Sequence, residues 1–225
     1  MIDNTDRRQF LVKAGFIAAG GIITAAQASL AASEPEEDVS PIEDLMREHG
    51  LLNRVLLVYD HCSEKLQNKE KVDLKELAAA REIIKNFVEA YHEKLEEEHL
   101  FPRLEKAKKL SDLTAVLRAQ HAAGRTVTAE LATALQRQDH SALVSHLRAF
   151  TRMYRPHEAR EDTIVFPAFR RVVPDKQYKE MGEMFEAREH QLFGKEGFEG
   201  QVKRVEQIER ELGIYDLSQF TPKRS

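Results

Sequence analysis

From Ser40 onward, apolar residues recur at three- and four-residue spacing, and no stretch alternates with period two over a useful length. That pattern predicts helices throughout. Ser40-Pro41-Ile42-Glu43 has the form of a capping box with proline at the first helical position. It predicts a helix through Leu45, Leu52, Leu56 and Tyr59 to about Gln67. Asp73-Leu74-Lys75-Glu76 is a second capping box and opens a long helix to Pro102 or just beyond. Ser111 or Asp112 is placed to cap a third, with Leu113, Val116, Leu117, Val127 and Leu131 at helical spacing. Asp139 or Ser141 starts a fourth, with Leu143, Leu147, Phe150 and Met153, ending near Pro167 or Val172. Pro174-Asp175 begins a fifth segment, broken around Gly194, Gly197 and Gly200, before a last piece from Gln201 to Leu212. Four long helices with connections of about 7 residues or fewer predict an all-α, up-down-up-down four-helix bundle with an extra C-terminal helical segment.

The N-terminal residues follow another pattern. Asp6-Arg7-Arg8-Gln9-Phe10-Leu11-Val12-Lys13 precedes twenty residues, Ala14 to Ser33, without a charge. A short basic region, an apolar stretch and a small-residue end are the parts of an export signal. The Arg-Arg-x-Phe-Leu-x-Lys order resembles the twin-arginine signal of bacterial export. Ala26-Gln27-Ala28 offers a cleavage site, with Ser29-Leu30-Ala31 as the alternative. A retained membrane anchor is the competing reading. The stretch is mostly Ala and Gly, so its transfer into lipid is weak, which favours a cleaved signal and no stable membrane insertion afterwards. The resemblance implies a bacterial periplasmic protein, a passing partnership with the twin-arginine translocase, and folding, often around a cofactor, before export. The expected organisation is a signal over 1–28, an acidic linker over 29–39, a bundle over 40–172 and a helical extension over 173–225.

Composition narrows the chemistry. The 225 residues are 42% hydrophobic and 32% charged, a globular balance rather than a disordered one. The net charge is −4, and loss of the leader's three basic and two acidic side chains leaves −5, which argues against a nucleic-acid partner held by phosphate contacts. The single cysteine, Cys62, excludes a disulfide framework or a cysteine-built zinc or iron–sulfur site within one chain. No nucleophile elbow, phosphate loop or dinucleotide fingerprint occurs. The surplus is histidine, with nine residues, several beside glutamates.

Those histidines form a repeat. His92 begins H-E-K-L-E-E-E-H-L-F-P, and His157 begins H-E-A-R-E-D-T-I-V-F-P. Both read H-E-x-x-E-x-x-x-(Leu/Val)-F-P, identical at five positions. His92 with Glu96, and His157 with Glu161, each lie one turn apart on a helical face. The remaining two helices each contribute one histidine, His49 in R-E-H-G and His121 in R-A-Q-H. A helix pair used twice would bring four imidazoles and two carboxylates to one level of a bundle core. Carboxylates bridge cations and imidazoles suit iron, copper, nickel or zinc. A single His-x-x-x-Glu is ordinarily a surface pair worth a few tenths of a kcal/mol. Two copies with the same tail, joined by a histidine on each other helix, favour a metal site, because burying these groups without one is costly.

The segment from Pro41 to Val172 resembles the hemerythrin-like, or HHE cation-binding, family. The resemblance rests on His49, His92-x-x-x-Glu96, His121 and His157-x-x-x-Glu161, with Leu100-Phe101-Pro102 and Val165-Phe166-Pro167. It implies a four-helix bundle around a non-haem di-iron centre and a small diatomic ligand, O2 or NO. The Glu-x-x-His order of ferritin-like bundles is absent. Two departures separate the chain from oxygen carriers, which have a second histidine four residues after the one on their third helix and end their ligand set on an aspartate. Here Arg125 holds the first position, and the last carboxylate is Glu161, one residue before the place of the carriers' aspartate. The departures weigh against reversible O2 carriage. Glu93 is either the substitute ligand, as in an iron-sensing relative of the fold, or a solvated residue.

Other residues take plainer roles. His99, seven positions after His92, reads as an outer partner or core residue; His61, His140, His146 and His190 read as surface. Tyr59, Tyr91 and Tyr154 read as core. Gly50 and Ala122-Ala123-Gly124 either let helices approach or leave room for a ligand, and Pro156 should loosen the fourth helix before His157. Three functional classes follow: an exported di-iron protein that binds O2, NO or iron for binding, sensing or storage; a di-iron oxidoreductase acting on peroxide, oxygen or nitrogen oxides; and a metal-free or zinc-bound interaction bundle. The first leads, without a catalytic residue assigned.

Overall fold

The computed structural model describes residues 39–222, and every regular element among them is helical. The expected export signal, its cleavage sites and most of the expected acidic linker lie outside the described residues. Helix α1 spans Pro41–Gln67, capped where the Ser40 hydroxyl accepts from the Glu43 amide at 3.3 Å. Helix α2 (74–106) starts behind Asp73, whose carboxylate accepts from the Lys75 amide at 2.9 Å. Helix α3 is Ser111–Arg137, and helix α4 (140–172) starts where Asp139 accepts from the Ala142 amide at 3.0 Å. Such caps satisfy amides the helix leaves without partners, at about 1 kcal/mol each. The start of α3 differs from expectation. Leu110 stands before it in the left-handed region, φ 54°, and neither Ser111 nor Asp112 makes a side-chain cap.

Two of the rods are not uniform. Helix α2 runs as Leu74–Ile83, a π-helical Ile84–His92, a short α turn Glu93–Leu95, a second π stretch Glu96–Leu100, and Phe101–Lys106. Helix α4 runs as His140–Arg160, a π stretch Glu161–Val165, and Phe166–Val172. Both copies of the Phe-Pro pair therefore follow a wide turn that opens at the repeat's second glutamate. The cause is steric: a proline ring inside a helix clashes with the carbonyl four residues back and has no N–H to give. Widening the turn resolves the clash, and the Phe101 and Phe166 amides bond back to the Glu96 and Glu161 carbonyls. Arg103 donates to the His99 carbonyl at 2.7 Å and Arg118 to the Glu97 carbonyl at 3.0 Å, two backbone acceptors in that turn. Pro156, by contrast, sits within a helix that continues to Arg160.

The four rods pack in a ring, each against its neighbour in the chain, and α4 closes on α1. Their apolar stripes, including Leu45, Leu56, Ile84, Phe87, Leu117, Leu131, Leu147 and Phe150, form one core. Val116 departs from its expected stripe and is exposed. The extension comprises helix α5 (Asp175–Phe193) and helix α6 (Gly197–Glu211), with a 3-10 turn at Leu217–Phe220. Helix α6 begins four residues before the expected Gln201. Close approach explains the glycine at 197: a Cβ there would lie 2.0 Å from Glu189 Oε1. The extension packs on α1 and α2, with Phe185, Phe193 and Phe198 around Phe87 and Tyr91, and Arg54 paired with Glu209 at 2.5 Å. No helix among the described residues is long and apolar enough to cross a membrane.

Candidate metal centre

The repeat meets itself in the middle of the ring. His49 from α1 and His92 from α2 bring their Nε2 atoms to 3.1 Å, and His121 from α3 and His157 from α4 do the same at 3.1 Å. Two carboxylates lie between the pairs. Glu161 Oε2 is 3.1 Å from His157 Nε2 and 3.4 Å from His49 Nε2. Glu96 Oε2 is 3.7 Å from His92 Nε2 and 3.5 Å from His121 Nε2. Each carboxylate thus faces a histidine of both pairs, as bridging groups would. The donor atoms of His49, His92 and Glu96, and those of His121, His157 and Glu161, form two groups, each within 4.8 Å. All six residues are buried.

The outward nitrogens settle how these rings are held. His49 Nδ1 is 2.7 Å from Asp162 Oδ1, His92 Nδ1 2.6 Å from Glu48 Oε2, His121 Nδ1 3.1 Å from Glu97 Oε1, and His157 Nδ1 2.9 Å from Gln120 Oε1. All four partners are acceptors, so each Nδ1 is placed to donate, and a ring in its neutral form turns a bare Nε2 inward. Every one of these partners flanks a member of the six in sequence. Glu48 and Gln120, each preceding a lone histidine, support the second histidine of the same pair. Glu97 and Asp162, each following a glutamate, support the lone histidine of the opposite pair. The Phe-Pro phenylalanines follow the same crossing: Phe166 stacks on His49 at 5.4 Å and Phe101 on His121 at 5.8 Å. Sequence reasoning missed these supports, because their pairing crosses between helices; their adjacency to the six residues was the available signal.

Acceptors therefore face acceptors. All four oxygens of Glu96 and Glu161 are buried without a hydrogen-bond donor. Buried orphans of this kind cost kcal/mol each unless a cation answers them. The protein alone resolves the conflict by moving protons. Burial and then the charge of Glu161 raise Glu96 well above the carboxylate range. Burial also opposes ionisation of Glu161, but His157 and His49 prevail and hold it low. Burial lowers His92 well below its ordinary value, with His49 adding to the effect. For His49, burial is overcome by Asp162 and Glu161, which raise it to about 9. The donor set, imidazole nitrogen with bridging carboxylate, fits a pair of transition-metal ions.

Glu93 is not solvated: it is 1% exposed. Its Oε1 accepts from the Tyr154 hydroxyl at 2.5 Å, and its Oε2 is 2.6 Å from the Arg125 guanidinium. Arg125 also donates to Glu97 at 2.7 Å. Burial raises Glu93 to about 8, against the pull of Tyr154 and Arg125. Glu93 lines the gap between the histidine pairs together with Tyr154, Leu52 and Val88, and groups with Glu97 and His121 rather than with either His-His-Glu set. Gly124 makes the Tyr154 position possible, whereas Gly50 faces open space. His99 lies half-buried with its ring 5.8 Å from Phe185, toward the extension. His140 and His190 are exposed; His61 and His146 are half-buried, with His146 3.3 Å from Glu130. Tyr59, Tyr91 and Tyr154 are core residues.

The model of the hemerythrin HHE cation binding domain matches residues 40–169. Curated relatives include uncharacterized proteins of Mycobacterium bovis and Mycobacterium tuberculosis, 46% identical over 195 residues, covering 84% of this chain and 76% of theirs. No solved structure matches the chain.

Proposed function

Because the chain belongs to the hemerythrin HHE cation-binding family, whose members bind metal cations, typically iron, we propose that it is an exported, non-haem di-iron protein that binds O2, NO or iron. Its fold in this reading is an up-down-up-down four-helix bundle, with His49, His92, His121, His157, Glu96 and Glu161 as the ligands. One observation carries the proposal: four imidazole Nε2 atoms and two carboxylates with unpartnered oxygens converge in a buried site. Bound iron would supply one-electron redox chemistry and an open position for a diatomic molecule. The chain's own residues supply the rest. Glu48, Glu97, Gln120 and Asp162 fix the ring tautomers, Phe101 and Phe166 fix ring planes, and Leu52 and Val88 provide an apolar wall. In this reading Glu93 is held back from the metal, as its engagement with Tyr154 and Arg125 suggests.

Arg125 favours a second reading, a di-iron oxidoreductase acting on peroxide, oxygen or nitrogen oxides. It occupies the position of the carriers' additional histidine and pairs with Glu93 and Glu97 instead. Metal analysis of protein purified from its own cell tests the common premise. About two iron atoms per chain are expected. His92→Ala or His157→Ala should lower that content sharply while far-ultraviolet circular dichroism stays helical. Full iron in either folded variant, or zinc in place of iron in the parent, would overturn the di-iron assignment.

A further inference from the structure

A second cluster of carboxylates lies outside the centre. Asp44 and Glu48 from α1 and Glu189 from α5 each bring a ligand atom within 4.8 Å of the others. Glu48 is 1% exposed and Glu189 8%, so two of the three sit in the seam between bundle and extension. Clustering alone proves little, but Glu48 adds an independent observation. Its Oε2 is occupied by His92 Nδ1 at 2.6 Å, whereas its Oε1 is buried with no hydrogen-bond donor. The Tyr91 hydroxyl donates to the Phe185 carbonyl at 3.3 Å and also lies close enough to Glu48 to ease its ionisation, but it is a neutral donor and supplies no positive charge. Glu189 has the Phe198 amide at 2.8 Å and makes no ion pair among the described residues. Arg47 acts on all three carboxylates and His190 on Glu189, yet the Arg47 guanidinium pairs with Glu199 at 3.0 Å and lies over Phe198, and His190 is exposed. Glu43 and Glu186 add further negative charge around Asp44, whose carboxyl burial and the Glu189 charge raise to about 6. Three carboxylates facing one another, one of them with an orphaned buried oxygen, lack a positive centre.

We propose that Asp44, Glu48 and Glu189 form a separate mononuclear site for a hard divalent cation, built jointly by the family domain and its C-terminal extension. An all-oxygen carboxylate set suits hard ions such as Mn2+, Mg2+ or Ca2+. Glu48 belongs to this site through one oxygen and supports His92 through the other, so a cation here sits one hydrogen bond from the histidine centre. Helix α5 lies beyond residues 40–169, so the site depends on a segment outside the matched domain.

Mn2+ binding to the full chain, followed by the loss of the free-ion paramagnetic resonance signal, tests the site. In iron-loaded protein, the parent should bind about one Mn2+ per chain more than the Asp44→Asn/Glu189→Gln variant, with iron content equal in the two. Asp44→Asn alone, at a half-exposed position, should raise the Mn2+ dissociation constant roughly tenfold or more. The same difference of about one Mn2+ is expected between metal-free parent and variant, so a failure of the di-iron reading appears in the iron analysis and a failure of this site appears in the difference. Equal Mn2+ binding by parent and variants, with all melting cooperatively, would overturn the proposal.

Discussion

At position 124 any side chain would collide with Tyr154: an added Cβ would lie 2.3 Å from its hydroxyl oxygen and 2.9 Å from its ring. The missing methyl is what lets Tyr154 reach Glu93, stack on Phe150 at 4.2 Å and stand 5.3 Å from the His157 ring. Gly124→Ala should therefore push Tyr154 off Glu93 and cost about 1–3 kcal/mol of stability, read from chemical denaturation. In a Tyr154→Phe background the cost should shrink, because the closest colliding atom is gone. An undiminished loss would mean that Gly124 accommodates something other than the hydroxyl. The sequence signalled only that small residues follow His121. That a glycine there serves a tyrosine three-dimensionally adjacent but thirty residues on depends on how α3 and α4 face each other, which no local pattern carries.

Among the elements, the wide turns in α2 and α4 have the clearest dependence on single residues. Pro102→Ala together with Pro167→Ala removes the ring clash and restores an N–H, so the turns opened at Glu96 and Glu161 can tighten to α geometry. Helicity should stay level or rise while iron content falls, since tightening would rotate the two glutamates relative to their histidines. Unchanged iron content in the folded double variant would show that the π turns do not position the site. Helix starts at Pro41, Leu74, His140 and Asp175 were legible because Ser40, Asp73, Asp139 and Pro174 announce them chemically. For α3 the position was legible to within a residue or two but the cap was not, since Leu110 enters it from a left-handed conformation that no residue preference marks. The π stretches were hidden for a related reason: hydrophobic spacing reports which residues face inward, not how many residues each turn contains. The six residues of the centre could be read because their spacing repeats, whereas Glu48, Glu97, Gln120 and Asp162 act across helices and leave only adjacency as a trace.

At the scale of the molecule, the proposed export leader and the C-terminal extension make separate predictions. On the proposal that Arg7 and Arg8 belong to a twin-arginine signal, replacing both by Lys should leave the protein in the cytoplasm. Undiminished periplasmic protein in fractionated cells would point to the general secretory route or to an anchor. The extension shares the bundle's core through Phe185, Val205 and Ile208. Its aromatic residues and the Arg54–Glu209 pair rest on α1 and α2, and the principal packing of α5 and α6 is with that half of the ring.

An uneven covering sets an order of opening. Amide hydrogens exchange with solvent only when a segment transiently unfolds, and segments with more buried apolar contact open more rarely. Helices α1 and α2 lie beneath the extension, so their amides should retain deuterium-free signal longest, while α3 and α4 should exchange earlier. The His121–His157 side would then be the face from which the buried interior is reached by water and small molecules. Mass-resolved hydrogen exchange on the intact protein measures this directly, and equal protection of all four helices would show that the extension adds no local stability to the half it covers.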